Sequence, residues 1–522
     1  MKKKEGDDQM YKDEIGRLKK VLKENSFYGR LGKLFKTENK FYFYDLGTGK
    51  IFECSEDEYV ILQKILSSQD IEEILNLDST ILNRSLNILV DTIEKEFMLQ
   101  APPLKSFSGD QTLNLEDNLN RELKQIILDV TEKCNLRCKY CIYGDNNEKF
   151  RDFSSMDDMS LETALKSIND VIHRVGDEFY VTFYGGEPLI NYTLIKSVVE
   201  YVLSLDLDTK LHFSITTNLT LMTKEIAKFI SSVDNFSVVC SIDGDKLTHD
   251  EYRKDISGNG SYDRTIRGLE CLYNELKKEG KEDHILFSTV ITPPYSKEKL
   301  DRVQNFFRTC PYIDEKTSII TSYVDYGRKI FDKDLNQRQH YKDAETFMHD
   351  NNPVQLWAEG IIEKDDFLDP FTWNGILQNF QKIHSRRISG RPMKEYILNG
   401  CCNPGGRKLF VSVDGSYNVC ERMGETPSIG NVNDGYNFER IKKYYVDDYC
   451  EASKLKCKNC WAVHLCSICY AVCYDKNGID PIMKDYKCIS ERFGIENYLK
   501  LYHEILDFKP SIVKDLNKMK LS

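Results

Sequence analysis

The stretch QIILDVTEKCNLRCKYC, residues 125–141, decides the fold. An apolar, strand-like run, Gln125–Val130, leads directly into three thiols, Cys134, Cys138 and Cys141, spaced C-x3-C-x2-C. Zinc takes four ligands, usually from paired C-x2-C units. A [4Fe–4S] cube has four irons, normally with one thiolate on each. Three close thiols with no fourth nearby would leave one iron open, which is useful if a substrate or cofactor must bind the cluster itself.

Working downstream from that stretch, apolar runs recur at Phe179–Tyr184, Leu211–Thr217, Phe236–Ile242, Ile285–Ile291 and Ser318–Val324, with helical stretches between them. Six strands alternating with helices predict βα units and a parallel sheet. Two further motifs lie just past strand ends, where parallel α/β folds place their sites. YGGEP carries Gly185, Gly186, Glu187 and Pro188, and its glycines would let the backbone approach a ligand closely. SIDGDKLTHDEYR carries Ser241 and Arg253. The planar guanidinium of Arg253 suits a carboxylate. Taken singly, the first motif could be a strand-ending turn and Arg253 a surface ion pair.

Together the three motifs resemble the radical S-adenosylmethionine (SAM) family, over residues 123–330, as a partial (β/α)6 TIM-like barrel. The resemblance implies that the open iron is chelated by the amino and carboxylate groups of SAM. One electron from the reduced cluster then cleaves SAM to methionine and a 5′-deoxyadenosyl radical. By the same resemblance Tyr140 contacts the adenine, and Gly185, Gly186 and Glu187 meet the methionyl amino group. Ser241 and Arg253 match positions that contact the SAM ribose and carboxylate in sulfatase-maturase-like members.

Of the 17 cysteines, ten fall between Cys401 and Cys488. Cys54, Cys240, Cys271 and Cys310 read as scattered small hydrophobes. The downstream field, CCNPGGRKLFVSVDGSYNVC, then CKNCWAVHLCSICYAVC, then Cys488, resembles the SPASM extension, which binds two auxiliary [4Fe–4S] clusters. Residues 399–495 are the expected extent. The resemblance gives Cys457, Cys460, Cys466 and Cys488 to the second cluster, and Cys402, Cys420 and one later cysteine to the first. The family's x3 step is x2 here, giving Cys469, and Cys473 lies just beyond it, so either could cross to the first cluster. Cys401 stands beside Cys402, and Cys450 is a further candidate. Zinc is the competing reading, but paired zinc-ribbon halves lie about 15–20 residues apart, and the x5 gap here is too short. The two resemblances together imply a cofactor set of SAM and three [4Fe–4S] clusters.

Upstream, residues 1–25 read as a charged, solvated or helical lead. Residues 26–100 read as a winged-helix-like module: strand Phe41–Tyr44, turn Gly47–Gly49, strand Ile51–Cys54, a helix opened by Ser55 with Glu58 as capping-box partner, and a helix over Asn83–Met98. Pro102, Pro103 and Gly109 mark 101–122 as a linker. Residues 331–398 read as a helical bridge anchored by Trp357, Phe371 and Trp373, and 496–522 as a helical tail. The net charge of -11 gives no electrostatic case for nucleic acid. The would-be recognition segment LDSTILNRSLNILVDTIEKEF has too few basic residues for phosphate binding. No secretory signal or run of about 18 apolar residues appears, so a cytoplasmic, non-membrane protein is expected.

The N-terminal module resembles the peptide-recognition element of peptide-maturation enzymes, in which an extended leader adds a strand to a sheet edge. The expected function is maturation of a ribosomally made precursor peptide, with a cysteine thioether as the leading product. A carbon–carbon crosslink, a decarboxylation or formylglycine formation is the alternative outcome, and an iron–sulfur or zinc regulator the non-enzymatic one. The expected partners are the precursor peptide and a ferredoxin- or flavodoxin-type electron donor. No catalytic acid or base stands out.

Overall fold

The computed structural model describes residues 11–120, 123–141, 143, 157–205, 207–314, 317–324, 380–424 and 426–517. Most of the anticipated bridge, with Trp357, Phe371 and Trp373, lies outside these residues.

The N-terminal unit is a three-stranded antiparallel sheet, β1 (Gly32–Lys36), β2 (Phe41–Asp45) and β3 (Ile51–Cys54), with helices Lys12–Leu22, Glu56–Ser67 and Ser79–Glu96. The helix at 12–22 buries Ile15, Leu18 and Leu22, so part of the charged lead belongs to the core. The expected capping box forms: Ser55 Oγ accepts from the Glu58 amide at 3.3 Å, and Glu58 Oε2 accepts from the Ser55 amide at 2.7 Å. Strand β1 was not expected, because GKLFK is short and half charged; β2 supplies its pairing. The stretch expected as a linker is packed. Ala101, Leu104 and Phe107 join the N-terminal core, and Leu115 and Leu119 join the central one.

Six parallel strands follow: β4 (Leu123–Thr131), β5 (Val175–Gly185), β6 (Lys210–Thr217), β7 (Phe236–Ser241), β8 (Ile285–Ile291) and β9 (Ile319–Tyr323). They pair in sequence order, each parallel to its neighbours, as the predicted βα alternation requires. Side chains alternate between the two faces of each strand. One face carries Ile126, Leu128, Val130, Phe179, Val181, Phe183, Phe213, Ile215, Val238 and Phe287 into the main core. The other face forms the concave side.

The sheet does not stop at β4. Strand β10 (Lys408–Val411) pairs parallel with it, placing Lys408 opposite Gln125 and Val411 opposite Leu128. Strands β11 (Ser416–Asn418), β12 (Gly430–Asn431) and β13 (Gly435–Tyr436) extend that edge antiparallel, giving ten strands. The cysteine-rich region is thus continuous with the barrel sheet. The chain closes on a 28-residue helix, Pro481–Phe508, capped by Asp480, whose Oδ1 accepts from the amides of Ile482 and Met483. This helix starts earlier than the expected tail. Its Ile495, Leu499, Tyr502 and Ile505 pack on Phe35, Tyr42 and Tyr44 of the N-terminal sheet.

Candidate functional site

The loop Thr131–Cys141 lies at the C-terminal ends of the strands and is tied down from three sides. The amides of Gly186 and Glu187 donate to the carbonyls of Thr131 and Lys133, each at 2.8 Å. The amides of Arg137 and Lys139 donate to the carbonyls of Lys254 (2.7 Å) and Tyr252 (3.0 Å). Asn135 donates to Thr220 Oγ1 at 2.7 Å and accepts from the Asn218 amide side chain at 3.0 Å. Segments after β5, β6 and β7 therefore fix the three thiols. Cys134, Cys138 and Cys141 share one electrostatic neighbourhood, and burial pushes Cys134 and Cys138 up to about 12. Thiolate ligands must lose their protons, so iron binding here would release them.

YGGEP turns out to be part of this loop's support. A Cβ at Gly185, which has φ 140°, would strike the Thr131 carbonyl, and one at Gly186 would strike the Lys133 carbonyl. Glycine is needed there because two backbones touch. Glu187 is buried and aimed inward. Its Oε1 accepts from Thr217 Oγ1 (2.6 Å) and the Leu189 amide (3.1 Å), and its Oε2 from the Asn218 amide (2.8 Å). Burial raises its pKa against those three donors.

Arg253 and Tyr140 converge on a residue the sequence reading did not single out, Asp243. Asp243 Oδ2 accepts from Tyr140 Oη at 2.5 Å and Arg253 Nε at 2.9 Å; Oδ1 accepts from Arg253 Nη2 at 3.2 Å and the Val290 amide at 3.1 Å. Burial alone would raise this carboxyl, but Arg253, with help from His249 and Tyr140, holds it below the usual range. The Arg253 guanidinium also lies 5.5 Å from the Tyr140 ring centroid, and Tyr140 stacks on Tyr252 at 5.9 Å. Arg253 is thus a buried, internally paired cation whose Nη1 is the terminal nitrogen not engaged with Asp243. Ser241 ends β7, half-buried, opposite Ser288. The clue to Asp243 was a carboxylate at a strand end ten residues before the arginine.

The concave face has a mixed lining, in which Tyr180 and His212, stacked at 4.3 Å, and Val239, Leu286, Val290 and Ile320 alternate with small hydroxyl side chains. Strand alternation places Thr182, Ser214, Ser237, Ser241, Ser288 and Ser322 there, away from the apolar core. Gln125 Nε2 donates to Thr182 Oγ1 at 2.8 Å, and Thr182 Oγ1 lies 2.7 Å from Ser214 Oγ. Much of this face on β6 to β8 is only half-buried.

The cysteine field divides in two. Cys457, Cys460, Cys466 and Cys488 line one partly open cavity with Lys456, Glu491 and Arg492. Cys457 ends the helix Asp448–Cys457, and Cys488 stands in the helix Pro481–Phe508. Separately, Cys402, Cys420 and Cys469 act on one another electrostatically. Cys401 and Cys473 are buried behind them: Cys401 Sγ donates to the Ile468 carbonyl (3.6 Å) and Cys473 Sγ to the Cys469 carbonyl (3.3 Å). Tyr449, Tyr470 and Tyr474 pack together beside this pair, with ring centroids 4.9–6.0 Å apart. Burial pushes Cys450 up to about 11; its charged neighbours are Asp447, Glu451 and Lys484. Among the described residues no three His, Cys, Asp or Glu side chains converge on a single-ion site. The barrel loop meets the cysteine field where Tyr143 Oη donates to the Glu421 carbonyl at 3.2 Å.

The Radical SAM superfamily profile matches residues 128–307, the segment that carries the three-thiol loop and both supporting motifs. That family uses SAM and a [4Fe–4S] cluster. The chain is 27% identical to a cysteine-type anaerobic sulfatase-maturating enzyme of Clostridium novyi, over 66% of this chain and 87% of the relative. It is 26% identical to the radical SAM cyclopropyl synthase TigE of Paramaledivibacter caminithermalis, over 84% of this chain and 87% of the relative. The fold resembles the solved structure of native anSMEcpe with bound AdoMet and the Kp18Cys peptide, with a TM-score of 0.52 at 20% identity, covering 76% of this chain and all of that one.

Proposed function

We propose that this radical SAM enzyme matures a ribosomally made peptide, installing a thioether between a cysteine sulfur and a carbon of the same peptide. The observation that carries this reading is the half-buried concave face, lined by hydroxyl side chains together with Tyr180 and His212, with the three-thiol loop at its rim. An extended peptide can lie along such a face with one residue at the rim. The relatives fit: the sulfatase-maturating enzyme is named for a protein substrate, and anSMEcpe was solved with a peptide. The three-stranded N-terminal sheet offers edges to which a leader could add a strand.

Cys134, Cys138 and Cys141 would hold three irons of the SAM-binding cluster, and Tyr140, Gly185, Gly186, Glu187, Ser241 and Arg253 would border the SAM. Reductive cleavage of SAM there supplies a 5′-deoxyadenosyl radical that takes a carbon-bound hydrogen from the peptide. The chain's own part is positioning. Asp243 locks Arg253 and Tyr140 in place, Glu187 pins the strand ends, and Gly185 and Gly186 let the loop sit close. Removing two hydrogens to form the thioether releases one further electron. Cys402, Cys420 and Cys469, with Cys457, Cys460, Cys466 and Cys488, would hold two auxiliary clusters to receive it. A ferredoxin- or flavodoxin-type protein would supply the priming electron, in the cytoplasm. Among the described residues no helix is long and apolar enough to cross a membrane.

A second reading, carbon–carbon bond formation, is favoured by the breadth of the cyclopropyl synthase match. Mass spectrometry of a co-expressed neighbouring peptide separates the two. Loss of about 2 Da with a cysteine protected from alkylation supports the thioether; the same loss with every thiol alkylatable sinks it. Release of 5′-deoxyadenosine by dithionite-reduced, reconstituted protein, abolished by replacing Cys134, Cys138 and Cys141 with Ala, tests the radical chemistry itself.

A further inference from the structure

Lys484 stands one helical turn before Cys488 in the helix Pro481–Phe508, and it is only 5% exposed. Long cations usually carry their charge to water; this one does not. Its Nζ lies 4.1 Å from the ring centroid of Tyr449, whose hydroxyl donates to the Ile468 carbonyl at 3.2 Å. Among the described residues no carboxylate lies in ion-pair range of it; the neighbouring Asp485 pairs instead with Lys456, at 3.0 Å. A buried ammonium without a counter-charge is costly, and an aromatic face returns only part of that cost. Thiols surround it on both sides. Cys457 and Cys488 of the second cysteine set feel its charge, as do Cys401 and Cys450, which stand behind the first set and not among its proposed ligands. The missing counter-charge is therefore what thiolate-bound cubes would bring, because a cube carrying four thiolates is net anionic.

We propose that Lys484 is a positioning residue for electrons: a fixed positive charge beside the auxiliary cluster of Cys457, Cys460, Cys466 and Cys488 that raises its reduction potential. The inference rests on reading the cysteine field as two [4Fe–4S] clusters. Cluster potentials depend on nearby charge and burial, and a cation in a water-poor interior acts more strongly than one at the surface. The step it favours is a one-electron transfer. The peptide radical is oxidised as its new bond closes and a proton leaves. An oxidised auxiliary cluster gains that electron, then loses it to a soluble one-electron carrier. Without Lys484 the reduced cluster would keep only Arg492 and Lys456, at the cavity wall, as nearby cations.

The test uses the full chain with Cys134, Cys138 and Cys141 replaced by Ala, so that only auxiliary iron is present. Redox titrations followed by electron paramagnetic resonance compare Lys484, Lys484→Met and Lys484→Arg at matched iron content. The expected result is at least a tenfold loss in the reduction equilibrium for Lys484→Met, a negative shift of about 59 mV for a one-electron couple, with Lys484→Arg near the parent. Lys484→Gln gives the same comparison where the Met variant loads iron poorly. Failure of both neutral variants to load, with Arg loading normally, also supports a charge requirement. Unchanged potentials at full loading overturn the proposal while leaving the two-cluster reading intact. A parent that binds no auxiliary iron overturns the reading, and the role of Lys484 falls with it.

Discussion

Replacing Asp243 with Ala removes the acceptor on which the barrel rim depends. The carboxylate takes four hydrogen bonds, from Tyr140, twice from Arg253, and from the Val290 amide. Both charged side chains are out of water, Arg253 at 9% and Asp243 at 0% exposure. Removing one partner of a buried pair costs about 3–5 kcal/mol, because the other charge is left unpaired. The bonds from the neutral donors, about 1.5–3 kcal/mol each because the acceptor is charged, share the same carboxylate and do not simply add. A loss of about 4 kcal/mol is expected in urea denaturation of the iron-free protein followed by circular dichroism. The double variant Asp243→Leu with Arg253→Met should recover most of it, since no charge stays buried. The pair also sets an acid limit. Asp243 is held below its unfolded value, so its contribution is complete above about pH 4 and is lost as pH falls through the lowered folded value. In reconstituted protein, Asp243→Ala should weaken SAM binding by equilibrium dialysis, because Arg253 and Tyr140 lose their anchor. A single variant within about 0.5 kcal/mol of the parent, or a double variant as unstable as the two singles summed, would refute the buried-pair account.

His249 gives a second pH signature. Its Nδ1 accepts the Asp243 amide (3.4 Å) and its Nε2 faces Ser261 Oγ (3.1 Å), an arrangement for the neutral ring, and burial, then Arg253, pushes it down to about 4. The unfolded chain binds that proton first, so stability should fall as pH drops from about 6.5 to about 4, by up to roughly 3 kcal/mol; a His249→Gln variant that keeps the same slope refutes this. Gly186→Ala should detach the three-thiol loop, because the added methyl meets the Lys133 carbonyl; the loss of iron per chain should exceed that for Gly390→Ala, where the space is open, and equal iron in both would count against it. Cys402→Ser and Cys469→Ser should each lower auxiliary iron, while Cys401→Ser and Cys473→Ser leave it near the parent; the reverse pattern in iron and sulfide analysis reverses the ligand choice.

The six barrel strands were legible because each is a short apolar run bounded by turn residues and separated by a helix-length stretch. Their ends match the sequence expectation to within a few residues. Strand β10 was not legible. Lys408–Val411 looks like an isolated apolar tetrapeptide, and its partner lies some 280 residues earlier in the chain. A parallel pairing at that separation leaves no local signal. Strand β1 was missed because its two lysines break the apolar run, although β2 pairs with it and the helix Pro481–Phe508 packs on its one buried side chain, Phe35.

Asp243 and Lys484 were missed for a common reason. A sequence names a charge but not its surroundings, and both residues matter only because they are buried. Asp243 sits in a four-residue turn that reads as punctuation; its weight comes from Arg253 and Tyr140, brought to it from ten and about a hundred residues away. The cysteines show the converse. Spacing alone left Cys401 against Cys402 and Cys469 against Cys473 undecided, since adjacent or near-adjacent thiols fit any ligand pattern equally. Burial separates them physically. Cys401 and Cys473 each donate to a backbone carbonyl beside packed tyrosine rings, whereas Cys402 is exposed; Cys469 is an electrostatic neighbour of Cys401, Cys402 and Cys420 alike. A thiol already hydrogen-bonded in a tight aromatic pocket must lose that bond and turn to reach an iron. A thiol without such a bond need only lose its proton, and that difference in reorganisation is the physical ground for proposing Cys402 and Cys469 as the ligands.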